Sequence, residues 1–553
     1  MGTGFAWLSL AVLVACLVTT IVRLHPPARG VGINEERVLG FAERITAEPH
    51  ASGTPGHARL RDWLVSRLET AGWAVEIQRG EKAHWRDPST LIPLENLVAR
   101  LEGTAGTDDA LLLVAHYDSR PGPSRGAGDD GAGVAALLEV ATQLAEDPPA
   151  NDVILLLSDG EESGLLGARL WVEETAPTYQ SARAVVNVEG RGVRGTSVMF
   201  ETGRGDRRVV EMFAAVAPHP VTSSLAPAVY EILPNGTDFT AFRYAGGTIS
   251  PLEPPVSRVQ NSPPNLPGLN FAFIDGYEHY HQATDDFEHL SKATLFHQAS
   301  QAVAVAKKLA NEDLVDLQSA GDAIYFDIWS LTVIVYPDWV RWLLLPPAIV
   351  VAIVGCVVAG RRERRVGAWL KGLGLLVGVL VAAIAWPQVA ALAMEHPAVG
   401  GGYPLAYAGA ALLATGWVAF AAKSAEIVTI GLTAGAVMLS VATALWLPGG
   451  SYLPLAVTVA GGVTLLASDS WAKAVALAFV ALTTVLLTFA SWMFGLALTL
   501  GLPGPTGFLL AVTLLLWLPH VRPLLERDRP RWIAGGSLAA IGTGLLVVTI
   551  VAF

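Results

Sequence analysis

From Trp342 to its end the chain is almost continuously apolar, broken only by short polar loops. About eight segments there approach the length a helix needs to cross a bilayer: roughly 342–360, 372–394, 403–421, 426–447, 452–467, 474–500, 506–519 and 532–552. Most of the Asp, Glu and His fall earlier, between residues 30 and 320. A chain of 553 residues that is 52% hydrophobic, with a mean hydropathy of +0.44, is therefore expected to be a soluble domain joined to a polytopic helical membrane domain. The expected divisions are an N-terminal transmembrane anchor (1–29), a soluble domain (30–315), a linker (316–340) and a membrane domain (341–553). Phe5–Val22 carries no charge, no basic residue precedes it and no small-residue cleavage pattern follows, so an uncleaved anchor is expected rather than a signal peptide.

Charge places the ends of these segments. Arg361, Arg362, Arg364 and Arg365, then Lys423, Lys473, and Arg522, Arg527, Arg529 and Arg531 all fall on one side if there are eight segments. By the positive-inside rule that side is the cytoplasm, and the soluble domain faces outward. Arg23 and Arg29 run against this, since they then lie outside. An Ala- and Gly-rich composition points to a bacterial plasma membrane. Ionisable residues sit at segment ends, as Glu395 and Glu426 do, so an anchoring or substrate-presenting role fits the membrane domain better than transport. The formal net charge of -12 argues against a nucleic-acid partner. Two cysteines, Cys16 and Cys356, supply neither a disulfide framework nor a thiolate metal site.

Within the soluble domain, apolar runs at 111–115 and 153–157 have the continuous character of strands buried on both faces. Further strands are expected at 74–78, 97–101 and 184–188, with helices over 60–68, 131–146, 163–174 and 295–309. This alternation predicts an α/β fold, a mainly parallel mixed sheet sandwiched by helices. Such sheets collect ligand-binding groups at the carboxyl ends of their strands. His116 and Asp118 follow the first run, Asp159, Glu161 and Glu162 the second, and Glu189 the last. Gly126-Ala-Gly-Asp129-Asp130 opens a helix, and His279-Tyr-His281 with Asp285 lies on a later loop. Asp129 and Asp130 could cap that helix, and Glu161–Glu162 could be a solvated helix start. As an ensemble, His116, Asp129, Glu162, Glu189 and His281 offer five N/O ligands. That is more than one tetrahedral zinc uses, and it suits two metals bridged by one carboxylate.

Residues 40–312 resemble the co-catalytic di-zinc aminopeptidase and carboxypeptidase family that includes bacterial leucyl aminopeptidases and glutamate carboxypeptidase. The matching pieces are His116-Tyr-Asp118, Gly126-Ala-Gly-Asp129-Asp130, Glu161-Glu162, Val188-Glu189, and Tyr280-His281 with Asp285 four residues on. The layout of one span before and several after resembles the endoplasmic reticulum metallopeptidase and vacuolar membrane protease group. The resemblance implies two Zn2+ ions. His116 and Glu189 would bind one, Glu162 and His281 the other, and Asp129 would bridge them. Asp118 would fix the tautomer and orientation of His116. Glu161 would be the general base that takes a proton from the activated water and passes it to the leaving amine. Glu189 departs from the family's frequent Asp by one methylene. Asp130 fits as a neighbour rather than a ligand, and His279 and His289 are expected to be solvent-exposed. Asp238 could line the pocket or simply form a turn.

The function implied is a membrane-anchored zinc exopeptidase acting on peptides outside the cytoplasm, an aminopeptidase before a carboxypeptidase. Its partners would be peptide substrate and membrane lipid, with a homodimer permitted. Two competing readings are a non-catalytic receptor or scaffold on a peptidase fold, and a single-zinc glutaminyl-cyclase-like acyltransferase. Retention of both His116 and a carboxylate at 189 favours two metals.

Overall fold

The computed structural model describes residues 2–174, 181–203, 205–231, 236–243, 266–319, 321–362, 425–497 and 504–525, with short runs between 366 and 381. Contacts divide the chain into two units, Pro26–Pro337 and Met1–His25 with Asp338–Phe553.

In the first unit seven strands form one sheet. They are β1 (Ala74–Ala83), β2 (Leu91–Leu101), β3 (Ala110–His116), β4 (Asp152–Ser158), β5 (Ala182–Gly190), β6 (Val198–Thr202) and β7 (Gly268–Phe273). Their spatial order is β1-β2-β4-β3-β5-β7-β6. The four inner strands β4, β3, β5 and β7 run parallel, while β1–β2, β2–β4 and β6–β7 pair antiparallel. A parallel strand covered on both faces has no solvent side, so its sequence shows no polar alternation. Every residue of β3, β4 and β7 is buried accordingly.

The period of two still sorts the side chains into two layers. Leu111, Leu113, Ala115, Val153, Leu155 and Leu157 pack with the helices Glu35–Ile45, Ala132–Glu146 and Lys292–Leu309. Leu112, Val114, Ile154 and Leu156 pack with Ala168 and Trp171 of the helix Leu166–Glu174 and with Phe239 and Phe242 of the short helix Phe239–Arg243. Each fully buried Leu or Ile in these layers contributes about 1.5–3 kcal/mol through its removal from water.

Residues 316–340, expected as a linker, instead carry a hairpin of β8 (Ala323–Ile328) and β9 (Thr332–Pro337). Ala323, Tyr325 and Val333 join the same core as β3 and β4, which makes the hairpin part of the first unit.

The second unit contains the helices Gly2–Arg23, Val340–Gly360, Ala425–Trp446, Tyr452–Leu466, Ser470–Ala497 and Gly504–Leu525. Among the described residues five helices are long and apolar enough to cross a membrane: Thr3–Thr20, Val340–Gly360, Ala425–Trp446, Pro448–Leu466 and Ser470–Met493. The segments expected at 403–421 and 532–552, and most of 372–394, lie outside the described residues, as do Arg364, Arg365, Lys423, Arg527, Arg529 and Arg531. Small residues let these helices approach closely. A Cβ on Gly355 would stand 2.7 Å from the Gly462 carbonyl oxygen, and one on Gly461 would stand 2.2 Å from Thr433 Oγ1.

Candidate metal centre

Strand ends and loops bring the polar residues to one edge of the sheet. His116 is the last residue of β3, and Glu189 is the penultimate residue of β5. Beyond β4, Gly160 turns in the left-handed region (φ +74°) and delivers Glu161 and Glu162. The loop after β7 carries His281, itself left-handed at φ +61°. Asp129 comes from the glycine-rich loop between β3 and the helix Ala132–Glu146. That loop lies flat against the end of β5. A Cβ on Gly128 would stand 1.7 Å from the Gly192 carbonyl oxygen, and one on Gly190 would stand 1.9 Å from that of Gly128. Only backbone without side chains fits this approach. The Gly128 N–H also donates to Asp285 Oδ1 at 2.6 Å.

The five sequence-proposed ligands come together in two groups of three that share Asp129. One group is His116, Asp129 and Glu189, and the other is Asp129, Glu162 and His281. His116 Nε2 lies 3.1 Å from Asp129 Oδ1 and 3.6 Å from Glu189 Oε2. His281 Nε2 lies 3.1 Å from both Asp129 Oδ2 and Glu162 Oε1. Each group thus takes one oxygen of the Asp129 carboxylate.

The chemistry of this donor set fits divalent cations. Asp129 Oδ2, Glu162 Oε1 and His281 Nε2 are buried and make no hydrogen bond of their own, although they converge to within 3.1 Å. Burial, with the Asp129 charge added, pushes Glu162 up to about 7. Burial likewise pushes Glu189 up to about 8, with Asp238 and Asp129 adding to the effect against His116. Burial works against His281, yet Asp129 and Glu162 raise it to about 9. His116 stands well above its ordinary value because Asp118 and Asp129 outweigh its burial. Burial would raise Asp129, but His116 and His281 hold it below the carboxylate range. A cluster of anions sealed from water takes up protons unless other positive charge is supplied. Such charge is what a metal ion brings.

Neighbouring groups orient the ligands. His116 Nδ1 faces the Asp118 main-chain oxygen at 3.0 Å and the Asp118 carboxylate at 3.4 Å. Both are acceptors, so they would hold a proton on Nδ1 when a bound cation displaces the one that Nε2 shares with Asp129. The Asp118 carboxylate also receives the N–H groups of Glu161 at 3.1 Å and Glu162 at 3.4 Å, so it braces the β4 turn as well as the histidine. Glu161 belongs to neither ligand group and keeps partial exposure. Burial, with the charges of Glu189, Asp238 and Glu162, holds its carboxyl well above the ordinary range.

Asp130 accepts the Gly133 N–H at 3.0 Å and so supports the helix start, outside both ligand groups. Asp238 is fully buried and bonded to Ser158 at the end of β4, so it is no surface turn residue. His289 is exposed as expected. His279 is not: it is half-buried and packs on His289 at 4.7 Å between ring centroids, which shields it from water. Sequence analysis passes over Asn187, whose amide donates to Glu189 Oε1 at 3.1 Å, and Arg120, which reaches Glu162 Oε2 at 3.4 Å. Asn187 stands two residues before Glu189 on the same strand face, a spacing that could have drawn notice.

Residues 96–306 match peptidase family M28. Endoplasmic reticulum metallopeptidase 1 of Mus musculus is 30% identical over 251 residues, which is 44% of this chain and 26% of that protein. The vacuolar membrane protease of Candida albicans (strain WO-1) is 30% identical over 267 residues, 47% of this chain and 28% of that protein. The chain thus spans little more than a quarter of the length of these two relatives. Among solved structures, a Zn-dependent exopeptidase from Parabacteroides distasonis aligns with a TM-score of 0.38 at 21% identity, over 49% of this chain and 97% of that one. A Porphyromonas gingivalis glutaminyl cyclase aligns with a TM-score of 0.38 at 22% identity, over 50% of this chain and 98% of that one.

Proposed function

We propose, from the match of residues 96–306 to peptidase family M28 and from the site's geometry, that the chain is a membrane-anchored two-zinc exopeptidase that hydrolyses peptides outside the cytoplasm. The observation that carries this reading is the pair of three-residue ligand groups sharing one carboxylate, Asp129. His116, Asp129 and Glu189 would hold one zinc, and Asp129, Glu162 and His281 the other. Bound zinc supplies Lewis acidity and draws the pKa of water towards neutrality.

The chain's own residues do the rest. Asp118 holds the His116 tautomer and the β4 turn, while Asn187 holds Glu189. Glu161, outside the ligand groups and anchored through its N–H, takes a proton from the attacking water at a carboxylate oxygen and delivers it to the leaving amine. Its raised affinity for protons suits that shuttle.

The outward placement of the domain rests on the basic loops, and an aminopeptidase is the terminus preference to test first. The protein purified after zinc loading should contain two ions per chain, and Asp129→Ala should lose both. One ion per wild-type chain would sink the two-zinc reading. Comparing free with N-acetylated peptides tests the terminus: an aminopeptidase leaves the blocked series intact.

A further inference from the structure

One residue beyond Glu189 and its following glycine, Arg191 stands at the same edge of the sheet. Its neighbours at this edge are already committed. Arg120 bonds the Glu162 main-chain oxygen at 3.2 Å and its carboxylate at 3.4 Å. Arg194 pairs with Asp275 at 3.3 Å and Glu278 at 3.1 Å. Among the described residues Arg191 has no such partner. Among the described residues no carboxylate lies within ion-pair reach of it, and its Nε is buried without a hydrogen bond.

Its guanidinium lies instead over two aromatic rings, 5.3 Å from the centroid of Tyr277 and 5.2 Å from that of Tyr280. Those two rings stack on each other at 5.3 Å, and Tyr280 stacks on the ligand His281 at 3.6 Å. Arg191 is therefore one aromatic ring away from the metal centre.

A guanidinium laid on aromatic faces keeps its charge and the N–H groups of its edge available, preset for a planar two-oxygen acceptor. An unpaired, half-buried cation is unfavourable by itself. The nearby carboxylates Glu162 and Glu189 belong to the ligand groups, so neither serves as its counter-ion. A bound ligand can supply one. We propose that Arg191 recognises a carboxylate of the substrate close to the scissile bond, which makes the preferred substrates short peptides bearing a negative charge there. Two groups have this chemistry: the free C-terminal carboxylate of the residue leaving on the amine side, and the side chain of an Asp or Glu at that position. The inference rests on the peptidase reading of the site.

The test uses the full-length, zinc-loaded protein in detergent or nanodiscs and four peptides of one length. Two are neutral sequences ending in a carboxylate or an amide. Two are amides with Glu or Gln beside the scissile bond. The wild-type protein should favour a carboxylate-bearing member over its neutral twin by about 10- to 100-fold in kcat/KM, the discrimination expected of a charged hydrogen-bonded pair. A gap between acid and amide assigns the C terminus as the source, and a gap between Glu and Gln assigns the side chain. In Arg191→Gln that ratio should collapse to about one with zinc content retained, and Arg191→Lys should restore part of it, having the charge without the fork.

Equal wild-type kcat/KM for all four peptides overturns the inference and leaves the peptidase reading intact. So does an Arg191→Gln variant that loses zinc and slows all four equally, because Arg191 would then merely brace the His281 loop. Failure to hydrolyse any of the four overturns both.

Discussion

Asp129 is the residue on which the site turns, because each of its oxygens faces a different imidazole. Its partners set a pH dependence. Without metal, Glu162 stands at about 7, Glu189 at about 8 and His281 at about 9, so all three hold protons at pH 6. A cation needs them deprotonated, and binding must release those protons. Zinc affinity measured by chelator competition should therefore rise from pH 6 to pH 9, with proton release visible in buffers of different ionisation enthalpy. A flat profile would contradict this arrangement. Glu161→Gln should lower kcat by about 10²- to 10⁴-fold while keeping zinc and fold, since only the proposed proton shuttle goes. Normal turnover in that variant would remove Glu161 from its role. The ligand candidates were legible because they end apolar runs or follow glycine-rich turns. Arg120 was not, because an arginine acquires its meaning from what the fold places opposite it; Asn187 offered only its i−2 spacing from Glu189, since a neutral amide carries no signal of its own.

At the element scale, the loop Gly126–Gly131 is the part that cannot change. A Cβ at Gly128 would overlap the Gly192 carbonyl, so Gly128→Ala must displace backbone. It should cost about 1–3 kcal/mol by overpacking and lower the zinc content, read by thermal melts and metal analysis. A variant with wild-type zinc content would show that the approach is less tight than it stands here. The inner strands β3, β4 and β5 were readable from their continuous apolar runs, whereas β7, which follows a Gly- and Pro-rich stretch, was not assigned. The antiparallel edges were not, since strand direction is decided by connections and not by composition. The helix Glu35–Ile45 was readable and unassigned: Val38, Phe41, Ala42 and Ile45 keep helical spacing behind the Asn34 cap. The β8–β9 hairpin was missed because its short strands immediately precede the first long apolar segment in sequence and merge with it in a reading by composition.

For the whole molecule, the division between a polar and an apolar half was the most legible feature, because hydropathy over about 20 residues is a strong signal. Sidedness is carried by loop charge alone. A cysteine placed at exposed Thr104 should react with a membrane-impermeant thiol reagent in intact cells, whereas one at Arg362 should react only after permeabilisation. The reverse pattern would turn the topology over and put peptide hydrolysis inside the cell.

The row of rings from Tyr277 through Tyr280 to His281 joins the place where a peptide's charge would dock to a ligand that would grip an ion. Equilibrium coupling of this kind runs both ways. If zinc sharpens the protein's hold on a peptide, a peptide must sharpen its hold on zinc, and the protein with peptide bound would stay loaded in surroundings too poor in metal to fill it at rest.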